Sequence, residues 1–248
     1  IGRLAKLYLT LKKVSASERI NKLLTIKAEV GVPVIPALCQ RLNSAQEIME
    51  KMGQVYVEPK YDGMRVQIHF QRSTNLIRAF TRNLEDVGHM FPELQQLSNL
   101  VKADSCVLDA EAIGYDQKTG KLLAFQQTIT RRRKHHVAEK AQELPIRFFV
   151  FDVLELNGNS LIDQSLQERK AVLSQLFNKN VIFSATPYII TDSISDWHQY
   201  HEQQLGSGLE GVVSKQINSP YQGGRKGWHW VKTKEEEDYY DKDTDFNP

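Results

Sequence analysis

Cysteine is scarce in this 248-residue chain: Cys39 and Cys106 have neither metal-ligand spacing nor further partners, which argues against a zinc site and a disulfide framework. They read as the reduced thiols of an intracellular protein, in the cytoplasm of a prokaryote or the nucleus of a eukaryote. No apolar run approaches the roughly 18 residues of a membrane span and no signal-peptide pattern opens the chain, so no membrane partner is expected. The first residue is Ile1, not methionine, and the chain reads as a piece of something longer. Neither Gly-x-x-x-x-Gly-Lys-Ser/Thr nor Gly-x-Gly-x-x-Gly occurs, so phosphate is not held by a P-loop or a dinucleotide-binding turn. Internal repeats and the regular strand-helix alternation of a parallel α/β sheet are absent too.

A hydrophobic share of 41% and a charged share of 25% mark an ordinary folded domain, not a disordered chain. Net charge is only +2, but the charges are unevenly placed. Arg3, Lys6, Lys12, Lys13, Arg19, Lys22 and Lys27 crowd the start, Arg131-Arg132-Arg133-Lys134 forms a basic run, and the chain from Glu235 onward is acidic.

Periodicity then orders the chain. Residues 1–30 read as a helical lead-in, broken by Gly31-Val32-Pro33, and a domain is expected over 31–234 with an acidic tail over 235–248. Helices are expected from Ser44 to Met52, with Glu47 completing a capping box, from Ser165 to Phe177, and from Ile194 to Leu205. Strands are expected around Val55–Val57, Val66–Phe70, Leu76–Thr81, Cys106–Ile113, Arg147–Leu154, Val181–Ile190, Glu210–Lys215 and Trp228–Lys234. The fold class is α+β.

Between the first two strands lies Glu58-Pro59-Lys60-Tyr61-Asp62-Gly63-Met64-Arg65, read as a hairpin turn. A lysine there is either an ordinary solvated cation or, if desolvated beside other cations, a neutral amine able to attack phosphorus or carbonyl carbon. Asp109 and Glu111 share one face of their strand, and read alone they are its wet side. Trp230, Lys232 and Lys234, spaced by two, share a face as well.

Lys60-Tyr61-Asp62-Gly63-Met64-Arg65 matches the K-x-D-G-x-R signature of the covalent nucleotidyltransferases, the superfamily of DNA ligases, RNA ligases and mRNA capping enzymes. Further segments resemble that superfamily's motifs in its own order: Phe80-Thr81-Arg82-Asn83, with threonine where serine is usual, Leu108 to Ala112, Phe149 to Asp152, Glu210 to Lys215, and Trp230 to Lys234. Together with Ala124-Phe125-Gln126 and the Arg131 run, the chain most resembles the adenylylation domain of ATP-dependent DNA ligases of archaeal and eukaryotic type. That resemblance implies antiparallel-rich sheets flanked by helices, with the active site between them.

The resemblance also implies roles. Lys60 would attack the α-phosphate of ATP and carry AMP, which passes to the 5′-phosphate of nicked double-stranded DNA before the 3′-hydroxyl seals the backbone. Arg65, Lys215, Lys232 and Lys234 would neutralise phosphate charge, Glu111 and Glu210 would hold Mg²⁺, Glu58 would lie near the adenine amino group, and Arg82 near the ribose or phosphate. Phe151 would stack on the base or serve as plain core. Arg131, Arg132, Arg133 and Lys134 would grip the DNA backbone, or form a solvated cluster. Family members continue into an OB-fold domain with a sixth motif, where this chain has its acidic tail. A monomer is expected. An mRNA-capping or RNA-ligase relative and a nucleic-acid-binding module without catalysis remain open beside the ligase reading.

Overall fold

The computed structural model describes residues 15, 27–42, 44–131, 141 and 143–234. The expected helices before Lys27, the acidic tail, and Arg132, Arg133 and Lys134 lie outside the described residues.

Strands gather into two sheets. One has the order β1 (Gln40–Arg41), β11 (Trp230–Lys234), β10 (Gly211–Gln216), β2 (Val55–Pro59), β9 (Ile189–Thr191). The other runs β4 (Leu76–Thr81), β3 (Met64–Gln71), β5 (Ser105–Gly114), β6 (Ile146–Leu156), β7 (Asn159–Ser160), with β8 (Phe183–Ala185) also beside β6. Pairing is antiparallel except at β1/β11 and β6/β8, so the mixed, antiparallel-rich α+β architecture is as expected.

Alternation along each strand decides what each face meets. On β3, Met64, Val66, Ile68 and Phe70 enter the largest core with Leu108, Ala110 and Ala112 of β5. On the other sheet, Val55, Val57, Val212 and Val231 pack under α1 (Ala45–Met52) and α3 (Ile194–Gly206), whose Trp197 is buried at the centre. The intervening residues on both sheets therefore point the other way, toward one another. A third cluster with Val107, Phe151, Leu154, Tyr221 and Trp230 fills part of that space.

The helices begin where their caps lie. Ser44 Oγ accepts from the Glu47 amide at 3.2 Å, and Ser193 Oγ from that of Asp196 at 3.3 Å. Ser165 and Glu168 form a reciprocal capping box that starts α2 (Leu166–Gln175).

Two expectations change. Val181–Ile190 is not one strand: β8 joins β6, β9 joins β2, and Thr186-Pro187-Tyr188 carries the chain from one sheet to the other. Proline has no amide proton to continue a ladder, which suits it to a crossing. Nor is the lysine stretch a hairpin. β2 and β3 belong to different sheets, and Lys60–Gly63 is a second crossing between them.

Candidate active site

Both crossings border a cleft of about 750 Å³ between the sheets. Glu58, Lys60, Arg65, Arg82, Glu111, Phe151, Glu210, Lys215, Lys232 and Lys234 all line it. Period two explains the convergence. Glu58 of β2, Lys215 of β10, and Trp230, Lys232 and Lys234 of β11 lie on the face opposite the helices, while Arg65 and Glu111 occupy the facing side of the second sheet.

The Lys60 backbone is tied to the strand it must face. Its amide donates to Gly211 O at 2.9 Å, and its carbonyl accepts from the Glu210 amide at 3.3 Å. Two glycines permit this approach. A Cβ on Gly63 would stand 2.6 Å from Ile113 Cγ1 and 2.8 Å from Ala112 O; one on Gly211, whose φ is +135°, would stand 2.2 Å from Thr233 O. The side-chain amine of Lys60 contacts the Glu210 carboxylate, and Lys234 Nζ lies 3.7 Å from the same group. Burial, then Lys234 and Lys232, draw the Lys60 amine below the ordinary lysine range, against the pull of Glu111 and Cys39.

Glu111 faces the reverse problem. Burial pushes its carboxyl up to about 8, despite Arg65 and Lys60, with Asp109 and Asp62 adding to the rise. No hydrogen bond or ion pair holds its carboxyl among the described residues. Arg65 is fully engaged: Nε and Nη2 donate to Asp109 at 3.0 and 2.6 Å, and Nη1 donates to Ala37 O at 2.6 Å. Tyr221 Oη donates to Asp109 at 2.7 Å. Asp109 is thus not a wet-face carboxylate but the buried anchor of Arg65.

Deeper in the cleft, Glu58 is buried and receives two lysines. Lys215 Nζ donates to it at 2.7 Å, and Lys170 of α2 forms an ion pair with its other oxygen. Burial lowers the Lys215 amine, while Glu58 holds it up. Lys215 also lies 4.5 Å from the centre of the Phe151 ring and 4.1 Å from that of Trp230. Phe151 belongs both to the inter-sheet core and to the cleft wall, so the two readings of it are compatible. Arg82 is exposed at the rim.

Arg131 departs from expectation. It is 1% exposed, and its guanidinium donates to Glu93 at 2.9 and 3.0 Å, to Leu144 O and to Met90 O. A planar fork engaged in this way holds structure together and is not available to grip DNA. The basic run gave no sign of this, because the partners are remote in sequence. Asp62 of the signature, whose Oδ2 accepts from the Phe125 amide at 3.1 Å, lines the cleft, and so do Cys39, Thr186 and Arg225, which the sequence did not mark as site residues. A lone cysteine, threonine or arginine carries no local motif.

A lysine on an inter-sheet crossing, facing cations and carboxyl groups across a cleft, defines an α+β domain of the nucleotidyltransferase kind. Known proteins make the class narrower. Residues 36–234 match the family described as "ATP dependent DNA ligase domain", and the chain belongs to that family. It is 36% identical over 216 residues to a probable DNA ligase of Dictyoglomus turgidum, and 37% over 226 residues to a DNA ligase of Sulfophobococcus zilligii. These alignments cover 87% and 90% of this chain but only 37% of either relative. Among solved structures, mycobacterial DNA ligase D complexed with ATP and MES is similar at 25% identity and a TM-score of 0.61, covering 81% of this chain and 60% of that one. Chlorella virus DNA ligase-adenylate, 16% identical with a TM-score of 0.57, covers 82% of this chain and 69% of that one, and shares the fold.

Proposed function

We propose that this chain is the nucleotide-transfer core of an ATP-dependent DNA ligase, with Lys60 as the nucleophile. The observation that carries the reading is the state of Lys60: an amine drawn down by burial and two facing lysines, and held against Glu210. In the first step the neutral amine attacks the α-phosphorus of ATP. A nitrogen–phosphorus bond forms, the bond to pyrophosphate breaks, and AMP remains on Lys60. On this reading Lys232, Lys234 and Arg82, which line the cleft, stabilise charge on the phosphates, while Arg65 and Lys215, already paired to carboxylates, shape the pocket as much as they charge it. Phe151 offers a ring face to the base, and Glu58 a carboxylate to its amino group. AMP then passes to the 5′-phosphate at a DNA nick and is displaced by the 3′-hydroxyl.

Glu111 and Glu210 suit Mg²⁺. Both are hard oxygen donors at the cleft, and the unpartnered Glu111 carboxyl is the kind of group a divalent cation neutralises. No group of three or more metal-binding side chains occurs among the described residues, so such an ion would keep water or phosphate ligands. Bound there, it would supply charge neutralisation on the polyphosphate.

Arg132, Arg133 and Lys134 remain proposed contacts to the DNA backbone. A monomer inside the cell is part of this reading. Incubation with Mg²⁺ and α-labelled ATP, GTP or NAD in parallel tests it. Label from ATP alone, stable to denaturation and absent in Lys60→Ala, is expected; label that survives in Lys60→Ala would move the nucleophile elsewhere.

A further inference from the structure

Thr186 stands out among the buried polar groups of the cleft. Of the buried side-chain atoms lacking a hydrogen-bond partner among the described residues, only Glu58 Oε1 and Thr186 Oγ1 belong to residues that line the cleft. Glu58 has an ion pair with Lys170 at that oxygen. Thr186 is 2% exposed, and its hydroxyl has no partner among the described residues. A buried unpaired hydroxyl destabilises a fold, and on a cleft wall a bound ligand can supply its partner.

Its surroundings say which part of a ligand. Thr186 sits on the crossing between β8, where Ala185 pairs with Val150, and β9, where Ile189 pairs with Val57. Its amide donates to Val150 O at 2.8 Å, which fixes the backbone beside Phe151. Val57 leads into Glu58 on the other side. Thr186 therefore belongs to the end of the cleft that holds the aromatic face and the carboxylate, while Lys232 and Lys234 lie on β11. A carboxylate accepts hydrogen bonds and donates none; a threonine hydroxyl can rotate to donate.

We propose that Thr186 is a base-reading residue: its hydroxyl donates to a ring nitrogen of adenine next to the 6-amino group that Glu58 accepts. The inference rests on the ATP reading above. It also gives that reading a source of selectivity. Guanine carries an oxygen at position six, which a carboxylate repels, and a proton on N1, which cannot accept.

Calorimetric titration of the whole chain, with a chelator present so that no transfer to Lys60 competes, is the test. Thr186→Val keeps the shape and removes the hydroxyl. It is expected to weaken ATP binding about tenfold while the ligand-free melting temperature stays level or rises, because the unpaired group is gone. Thr186→Ser is expected to restore most of the affinity. 1-deaza-ATP should bind the parent chain about tenfold more weakly than ATP, and bind Thr186→Val no worse than ATP does. ATP binding that is normal in the parent and unchanged in Thr186→Val overturns the role of Thr186 and leaves the ATP reading standing. No nucleotide binding by the parent chain overturns both.

Discussion

On the proposed mechanism Lys60 is a cation in the free chain and an uncharged amine when it attacks. Burial and the two β11 lysines push toward the second state, while the Glu210 carboxylate in contact with the amine favours the first. Among the nearby cations, Lys234 acts on it most strongly. Lys234→Ala should therefore raise the Lys60 pKa, slow adenylylation at neutral pH, and shift the rate profile toward alkaline pH by up to about one unit. A rate loss equal at every pH would show instead that Lys234 serves only as a phosphate contact. The motif residues were legible at this scale through their resemblance to the motifs of the nucleotidyltransferases. Asp109, Tyr221 and Lys170 were not, since their importance lies in which motif residue each one holds.

At the scale of elements, the site depends on β10 and β11 standing close together. Gly211 pairs with Lys234, and its φ of +135°, with the 2.2 Å that would separate a Cβ from Thr233 O, leaves no room for a side chain. Gly211→Ala should separate the end of β11 from the Lys60 backbone and reduce labelling of Lys60 by about tenfold or more. As a control, Gly206→Ala meets open space on α3 and should label normally. Helix positions were readable from their serine caps, and strand positions from alternation. Which sheet each strand joined was not. A period of two states that a residue alternates faces, yet nothing local in Val55–Val57 and Val66–Phe70 tells that the two runs diverge into separate sheets.

The whole molecule is fastened by the strip leading into the first strand. Gly31 donates its amide to His69 Nδ1 at 3.0 Å, His69 Nε2 meets Gln67 Oε1 at 3.0 Å, and that same oxygen accepts from the Val34 amide at 2.7 Å. Farther on, Ala37 O accepts from Arg65 and β1 pairs with β11, so one strip touches both sheets. This bonding requires a neutral His69, and burial, with Arg78, lowers its pKa to about 4. The unfolded chain, with histidine near 6.5, binds more protons between those values. Stability from this group is complete above about pH 6.5 and is lost as pH falls toward 4, by about 3 kcal/mol. Denaturant unfolding at about pH 7 and pH 4 should show that loss in the parent chain, and a smaller one in His69→Gln; equal losses would remove His69 as the cause.

The sequence by itself determined the chemistry available and the face on which each group would lie, because backbone geometry imposes its period on every strand and helix. Lys60, Glu111, Glu210, Lys232 and Lys234 were picked out by their resemblance to the motifs of the nucleotidyltransferases, and they do meet in one cleft. Only the tertiary structure decided that Lys60–Gly63 crosses between sheets, that Arg131 is spent on Glu93, and that Thr186 is left with an unpaired hydroxyl. Each of these depends on partners tens of residues away, and contacts at that distance are selected by the packing of the whole chain, not by any local pattern.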